Sequence, residues 1–125
     1  MNALLVDTHA LLWWLADDAG LSAAAREALA EPATDVLVST ASVWEIAIKR
    51  ALGKLGAPDD LPSHIEAAGF GWLPVTAEHA WRVRELAPHH RDPFDRLLVA
   101  QSLVEQLPIV SADARFGAYG VEVRW

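Results

Sequence analysis

The sequence predicts an α/β fold, a mainly parallel central sheet flanked by helices on both faces. Three observations carry this. Short apolar runs of strand length alternate with helix-length segments along the whole chain. Several of the runs, Leu4-Leu5-Val6 and Val36-Leu37-Val38 among them, are uninterrupted rather than alternating, as strands buried on both faces are. No repeat, low-complexity stretch or linker divides the 125 residues, so residues 1–125 are expected to form a single domain with one enclosed core.

Each element has a local reason. Residues 3–6 are short and wholly apolar and read as the first strand. Asp7 or Thr8 caps a helix over 10–15 that is apolar nearly all round and therefore expected to be buried. Asp17-Asp18-Ala19-Gly20 breaks it. Ser22 is a good N-cap for an alanine-rich helix over 23–30, which Pro32 ends. A second strand covers 35–39. Ser39 or Thr40 caps a third helix reaching Leu52, whose expected apolar face is Ala41, Trp44, Ala47, Ile48, Ala51 and Leu52 at helical spacing. Gly53 and Gly56 close it. A short helix over 61–68 is capped near Ser63. Trp72-Leu73-Pro74-Val75 reads as a strand, and its proline favours a sheet edge. Thr76 caps a helix to Leu86, residues 88–91 form a loop, and Asp92 caps a helix to Gln106. Strands over 108–111 and 120–124 complete the chain, the last with its direction open.

Composition narrows the function. A chain that is 53% hydrophobic does not stay disordered. With no cysteine, disulfides, thiolate zinc sites and cysteine nucleophiles are excluded. No uncharged run is long and apolar enough to span a bilayer, and no basic region precedes the first apolar stretch, so a cytoplasmic protein without membrane contact is expected. The formal net charge of −7 argues against a general nucleic-acid coat, which needs a broad basic surface, but leaves room for an enzyme that grips a few phosphates locally.

The acids are the informative residues. Asp7 follows the first strand, Glu45 lies two turns into the helix after the second, Asp95 sits in Asp92-Pro93-Phe94-Asp95-Arg96, and Asp113 follows Ile109-Val110-Ser111. Ligands bind outside the carboxyl ends of such strands, so neighbouring strands bring these carboxylates to one edge of the sheet without burying them in the core. Carboxylates brought that close repel unless a cation lies between them, and a divalent metal in an open acidic cleft points to phosphate chemistry. Taken singly, each has a plainer role. Asp7 suits a helix cap, Glu45 an i,i+4 pair with Lys49, Asp92 and Asp95 a helix start, and Asp113 a turn. The case rests on four acids at equivalent topological positions beside two hydroxyl residues, Thr8 and Ser111. Trp13, Trp14, Trp44 and Trp81 lie on apolar helix faces and suit core or interface packing. His9, His64, His79, His89 and His90 share no zinc spacing and read as packed or solvated.

Val6 to Trp14 (VDTHALLWW), Ser39 to Lys49 (STASVWEIAIK), His90 to Gln101 (HRDPFDRLLVAQ) and Val110-Ser111-Ala112-Asp113 together resemble the PIN-domain ribonucleases, specifically the VapC-type toxins of bacterial toxin–antitoxin pairs. The resemblance covers essentially the whole chain. It implies a PIN-like three-layer fold and an endoribonuclease dependent on Mg²⁺, with Mn²⁺ able to substitute. Its acidic positions carry over onto Asp7, Glu45, Asp95 and Asp113 as catalytic metal ligands, with Asp92 as a secondary one. Thr8 and Ser111 would orient water or phosphate oxygens. Hydrolysis by a metal-activated water would leave 5′-phosphate and 3′-hydroxyl ends. The family further implies a cognate VapB-like antitoxin blocking the cleft with a basic side chain, and a homodimer, with exposed Trp or Leu on the early helices serving both contacts. Arg91 and Lys49 are candidate RNA contacts, and His89-His90 beside them a lesser one.

Three other readings are weaker. A receiver-type phosphoacceptor domain needs paired acids after strand one, an aspartate ending a middle strand and a late lysine, whereas Val36-Leu37-Val38 ends in Ser39 and only Lys54 follows Arg50. A haloacid-dehalogenase-type phosphatase needs Asp-x-Asp where Asp7-Thr8-His9 stands. A catalytically silent interaction module with the same fold leaves the clustered acids unexplained.

Overall fold

In a computed structural model describing residues 2–125, five parallel strands run in the order β3-β2-β1-β4-β5: β1 (Asn2–Val6), β2 (Thr34–Ser39), β3 (Gly71–Leu73), β4 (Ile109–Val110) and β5 (Val123–Arg124). The chain builds outward from β1 through β2 to β3, then returns to the other side of β1 for β4 and β5. The order reverses between β1 and β4, which makes that crevice the switch point at which open α/β sheets hold ligands. The register is tight there. Val6 pairs with both Val38 and Val110, so Asp7, Ser39 and Ser111 leave the sheet side by side.

Side-chain alternation divides the core into two layers. Leu4, Val6, Val36, Val38 and Val110 face one way, toward α1 (Thr8–Leu15), α2 (Ala23–Ala30) and α4 (Leu61–Ala67). Leu5 and Ile109 face the other way, against Leu98 and Val99 of α6 (Pro93–Glu105), Phe116 and Val121. The three-layer expectation is met by this two-sided burial, and the last strand is parallel. α3 (Thr40–Ala51) touches β2, α1 and α6 at the carboxyl edge, and α5 (Ala77–Arg82) packs on α6.

Several local expectations need correction. The helix read as running from Thr76 to Leu86 tightens into a 3₁₀ turn at Val83–Glu85, and a second 3₁₀ segment, Ala114–Tyr119, occupies what looked like loop. α4 starts after Asp60, whose side chain makes no cap hydrogen bond, so Ser63 lies inside the helix. α1 is half-buried rather than enclosed: Trp13 packs on Trp125 and Trp14 on Phe70 at its rim. The largest correction concerns α3. Its buried face is Ala41, Ser42, Glu45 and Ile46, while Trp44 and Leu52 are 61% and 63% exposed and Ile48 is also at the surface. The hydrophobic stripe faces solvent because the opposite face is needed to carry a carboxylate inward.

Candidate active site

Asp7 caps α1, its Oδ1 accepting the Ala10 N–H at 2.8 Å, and its carboxylate is nearly enclosed at 8% exposure. Burial raises its pKa above the ordinary 3.8 and Asp113 adds repulsion, against the opposing hydrogen bonds from Ser111 and Ala10. Ser111 is fully buried. Its hydroxyl accepts the Asp113 N–H at 3.0 Å and its side chain favours the ionised Asp7, so one residue acts at the ends of both β1 and β4.

Glu45 is 3% exposed, contrary to the expectation that none of the acids is buried in the core. The Thr8 hydroxyl lies 2.7 Å from its Oε1 and 3.0 Å from the Ser42 hydroxyl; its one proton goes to the carboxylate, the stronger acceptor. Lys49 closes an ion pair on Oε2 one turn later, and Glu45 in turn raises the ammonium pKa. Lys49 is therefore tied to the site from inside. Thr8 and Ser111 are likewise turned onto carboxylates, which makes them positioning groups in this arrangement.

Asp92 caps α6, accepting the N–H groups of Phe94 at 2.7 Å and Asp95 at 3.2 Å. Pro93 opens the helix with a preset φ and no N–H to satisfy. Asp95, on the first turn, is half-buried and its pKa is pushed up to about 6 by desolvation first, then by repulsion from Asp92, Glu45 and Asp7, with His90 opposing. Those causes bring the α6 acids into the same electrostatic neighbourhood as Asp7 and Glu45. Phe94 meets the edge of the Trp44 ring at 5.1 Å, bracing the two acid-bearing helices against each other.

Asp113 behaves oppositely. Arg115 grips it with Nε on Oδ1 at 3.0 Å and Nη2 on Oδ2 at 2.8 Å, and its backbone N–H adds a third bond at 3.0 Å. The Arg115 guanidinium, joined by His90, holds this carboxylate well below the usual range. Arg91 is exposed, as an RNA contact needs to be.

Two further residues matter here, and His90, read from the sequence as a lesser RNA contact, is buried and cannot serve as one. His90, one of two buried histidines with His79, bonds Asp113 Oδ2 through Nε2 at 2.9 Å. Arg96 donates to the carbonyls of Ala87, His90, Val83 and Leu86 at 3.1–3.3 Å, clamping the loop that delivers His90. A helical arginine satisfying four loop carbonyls is invisible to spacing rules.

The four acids lie toward the carboxyl edge, Asp113 repelling Asp7, and Glu45 and Asp7 repelling Asp95, but among the described residues no three of them already form a shell around an ion. The reason is visible in their partners: Glu45 is turned to Thr8 and Lys49, Asp113 to Arg115 and His90. The donor set nonetheless fits a hard divalent cation. Every donor is a carboxylate oxygen, and Asp7 and Asp95 hold charge that burial and mutual repulsion disfavour.

The PIN domain family model matches residues 4–122. Ribonuclease VapC22 of Mycobacterium tuberculosis (strain ATCC 25618 / H37Rv) is 29% identical over 126 residues, covering 95% of this chain and 93% of the relative. VapBC2 from Rickettsia felis, solved bound to a DNA fragment from their promoter, superposes with a TM-score of 0.71 at 11% identity, covering 97% of this chain and 96% of that one. A toxin–antitoxin complex from Klebsiella pneumoniae gives 0.65 at 16% identity, covering 96% and 94%. FitAcB from Neisseria gonorrhoeae gives 0.54 at 15% identity, covering 96% and 95%. The strand order, the acids at one sheet edge and a family match spanning nearly every residue agree: the chain belongs to the PIN-domain family.

Proposed function

We propose that this chain is a metal-dependent endoribonuclease and the toxin of a toxin–antitoxin pair. The observation that carries the reading is the set of acids at the carboxyl edge, above all Asp7 and Asp95, whose charges the surrounding protein leaves incompletely compensated. The VapC22 ribonuclease supports RNA as substrate. Mg²⁺, or Mn²⁺ in its place, would supply charge neutralisation at the scissile phosphate and a water acidic enough to ionise near neutral pH.

Asp7, Glu45, Asp95 and Asp113 are the residues that would hold that cation, with Asp92 beside them capping α6. Thr8 and Ser111 orient Glu45 and Asp7, and Lys49 balances Glu45 in the cation's absence. Arg91 and Arg115 are exposed, Arg115 on Asp113 itself, and would meet a phosphate backbone arriving from solvent. The covalent work falls to water, since the chain offers no cysteine nucleophile and its acids serve as ligands.

The antitoxin follows from the same chemistry: a partner inserting a basic side chain between Asp7 and Asp95 replaces the cation. The solvent-facing stripe of Trp44, Ile48 and Leu52, with Trp81 on α5, suits a second copy of the chain in a homodimer. That stripe lies on α3 and α5 rather than on the early helices. No helix among the described residues is long and apolar enough to cross a membrane.

Incubating the purified protein with mixed RNA tests the activity. Cleavage in Mn²⁺ or Mg²⁺ leaving 5′-phosphate and 3′-hydroxyl ends, and stopped by EDTA, is the expected result. Cleavage that continues in EDTA, or that leaves cyclic phosphates, overturns the metal-dependent reading.

A further inference from the structure

His90 is the one buried histidine in direct contact with the acidic site, and its environment is specified on every side. Its side chain is 1% exposed. The ring stacks with Phe116 at 4.8 Å and with Tyr119 at 5.6 Å. Both ring nitrogens are engaged. Nδ1 is 3.1 Å from the Tyr119 hydroxyl, and Nε2 is 2.9 Å from Asp113 Oδ2. The Tyr119 hydroxyl also accepts the His90 backbone N–H at 2.8 Å.

The Asp113 carboxylate can only accept, so Nε2 is the donor to it, while the Tyr119 hydroxyl meets Nδ1 on the other side of the ring. The loop cannot drift, because Arg96 clamps the carbonyls of residues 83, 86, 87 and 90.

Asp113 therefore has side-chain anchors of two kinds, besides the Arg115 backbone N–H on Oδ1. Arg115 is 66% exposed and free to exchange Asp113 for an arriving phosphate. His90 is enclosed and cannot follow. We propose that His90 is a positioning residue for the nuclease site: held by Tyr119, it fixes Oδ2 of Asp113 so that Oδ1, still oriented by the Arg115 backbone N–H, is presented when the guanidinium lets go. This rests on the reading of Asp113 as a cation ligand. It uses a general property of such sites, in which ligating carboxylates are themselves held by outer hydrogen bonds whose loss costs about 10–100-fold in metal affinity or activity.

Three variants of the full chain separate this from simple packing. His90→Phe keeps the ring stack and deletes both polar contacts. His90→Gln places an amide near the Nε2 position, and His90→Asn near Nδ1 only. Mn²⁺ affinity is read by calorimetry, independently of cleavage. The expectation is a loss of roughly 10–100-fold for His90→Phe and His90→Asn, with His90→Gln recovering most of it. In metal-free protein, long-range ¹H–¹⁵N spectra should show a proton on Nε2, the nitrogen that donates to Asp113. Parent-like Mn²⁺ affinity in His90→Phe overturns the proposal, and so does His90→Gln binding as weakly as His90→Asn. Should His90→Phe fail to fold, the Gln and Asn comparison alone decides. Asp7→Asn is the control: if it binds Mn²⁺ and cuts RNA like the parent, the nuclease site itself is misassigned. If it is inactive while His90→Phe is normal, only the positioning role falls.

Discussion

Asp7 and Asp113 leave adjacent parallel strands at the same edge of the sheet, share Ser111, and are pushed in opposite directions. Asp7 is enclosed and its carboxyl is raised by desolvation; Asp113 lies nearer the surface and is held down by Arg115 and His90. The β1 side, with Asp7, Thr8, Ser42 and Glu45, is rigid because its acids hang from the sheet edge and from a helix docked on it. The side formed by Asp113 and the 3₁₀ segment hangs from a two-residue strand and needs added clamps. The same pocket thus combines a fixed acid under electrostatic strain with a satisfied acid that has to give up a partner before it can bind anything else.

The largest expected effect tests that asymmetry directly. Asp7→Asn removes a buried charge while Asn still caps α1, so the metal-free protein is expected to melt higher, by about 3–6 °C per kcal/mol relieved. Cleavage should fall by roughly 100-fold or more, beyond the loss typical of outer-sphere residues. Asp113→Asn also loses cleavage but melts lower, because it forfeits charge-assisted bonds to Arg115 and His90. Melting shifts of the same sign in the two variants would break the comparison. Next comes Lys49→Met, which strands the Glu45 carboxylate in a buried position. A loss of about 1–3 kcal/mol is expected, below the cost of breaking a fully buried pair because Lys49 is itself partly exposed. Saturating Mn²⁺ should recover more melting temperature in this variant than in the parent.

Much of this arrangement is legible in the sequence, for identifiable reasons. Asp7, Ser22, Ser39, Thr76 and Asp92 all cap helices as their types and positions imply, because a cap is a local bargain between one side chain and one exposed N–H group. The convergence of the acids follows from strand order once β1, β2 and β4 are neighbours. What escapes is non-local. The inward face of α3 cannot be found from hydrophobicity, since Trp44, Ile48 and Leu52 make the stronger stripe while Glu45 is the residue turned inward. His90 resembles any loop histidine until Tyr119, 29 residues away, and Asp113 close on it. Arg96 looks like a solvated helix charge until the loop over 83–90 folds back onto it.

A smaller effect is expected from pH, and its sign follows from the raised carboxyls. The folded Asp95 holds its proton up to about pH 6 against an ordinary 3.8, so from roughly pH 4 to 6 the unfolded chain loses that proton first and stability falls as pH rises. Asp7 acts in the same direction. Asp113 acts oppositely, stabilising above its ordinary pKa and losing that contribution as acid protonates it, so its window lies below roughly pH 4. Metal-free protein should therefore be more stable at pH 5 than at pH 7 through the Asp95 contribution, on the order of 1 kcal/mol after solvent screening. Urea titrations at the two pH values measure it, and Asp95→Asn should shrink the difference. A difference unchanged in that variant removes Asp95 from the account.

The smallest effect, and the one that sharpens the comparison most, belongs to Arg115→Ala. Its guanidinium is exposed, so its loss should barely move the melting temperature, yet it occupies both oxygens of Asp113. If the arginine competes with a cation for that carboxylate, removing it tightens Mn²⁺ binding a few-fold, because one fewer contact has to break before the ion is held. Cleavage should not rise in step: the same exposed arginine is the proposed phosphate contact, so its absence is expected to raise KM for RNA. Tighter metal binding with a raised KM marks Asp113 as a ligand whose partner is shared between metal-free protein and substrate. Weaker metal binding instead makes Arg115 a second fixed anchor like His90, and erases the distinction between the rigid and the releasable sides of the site.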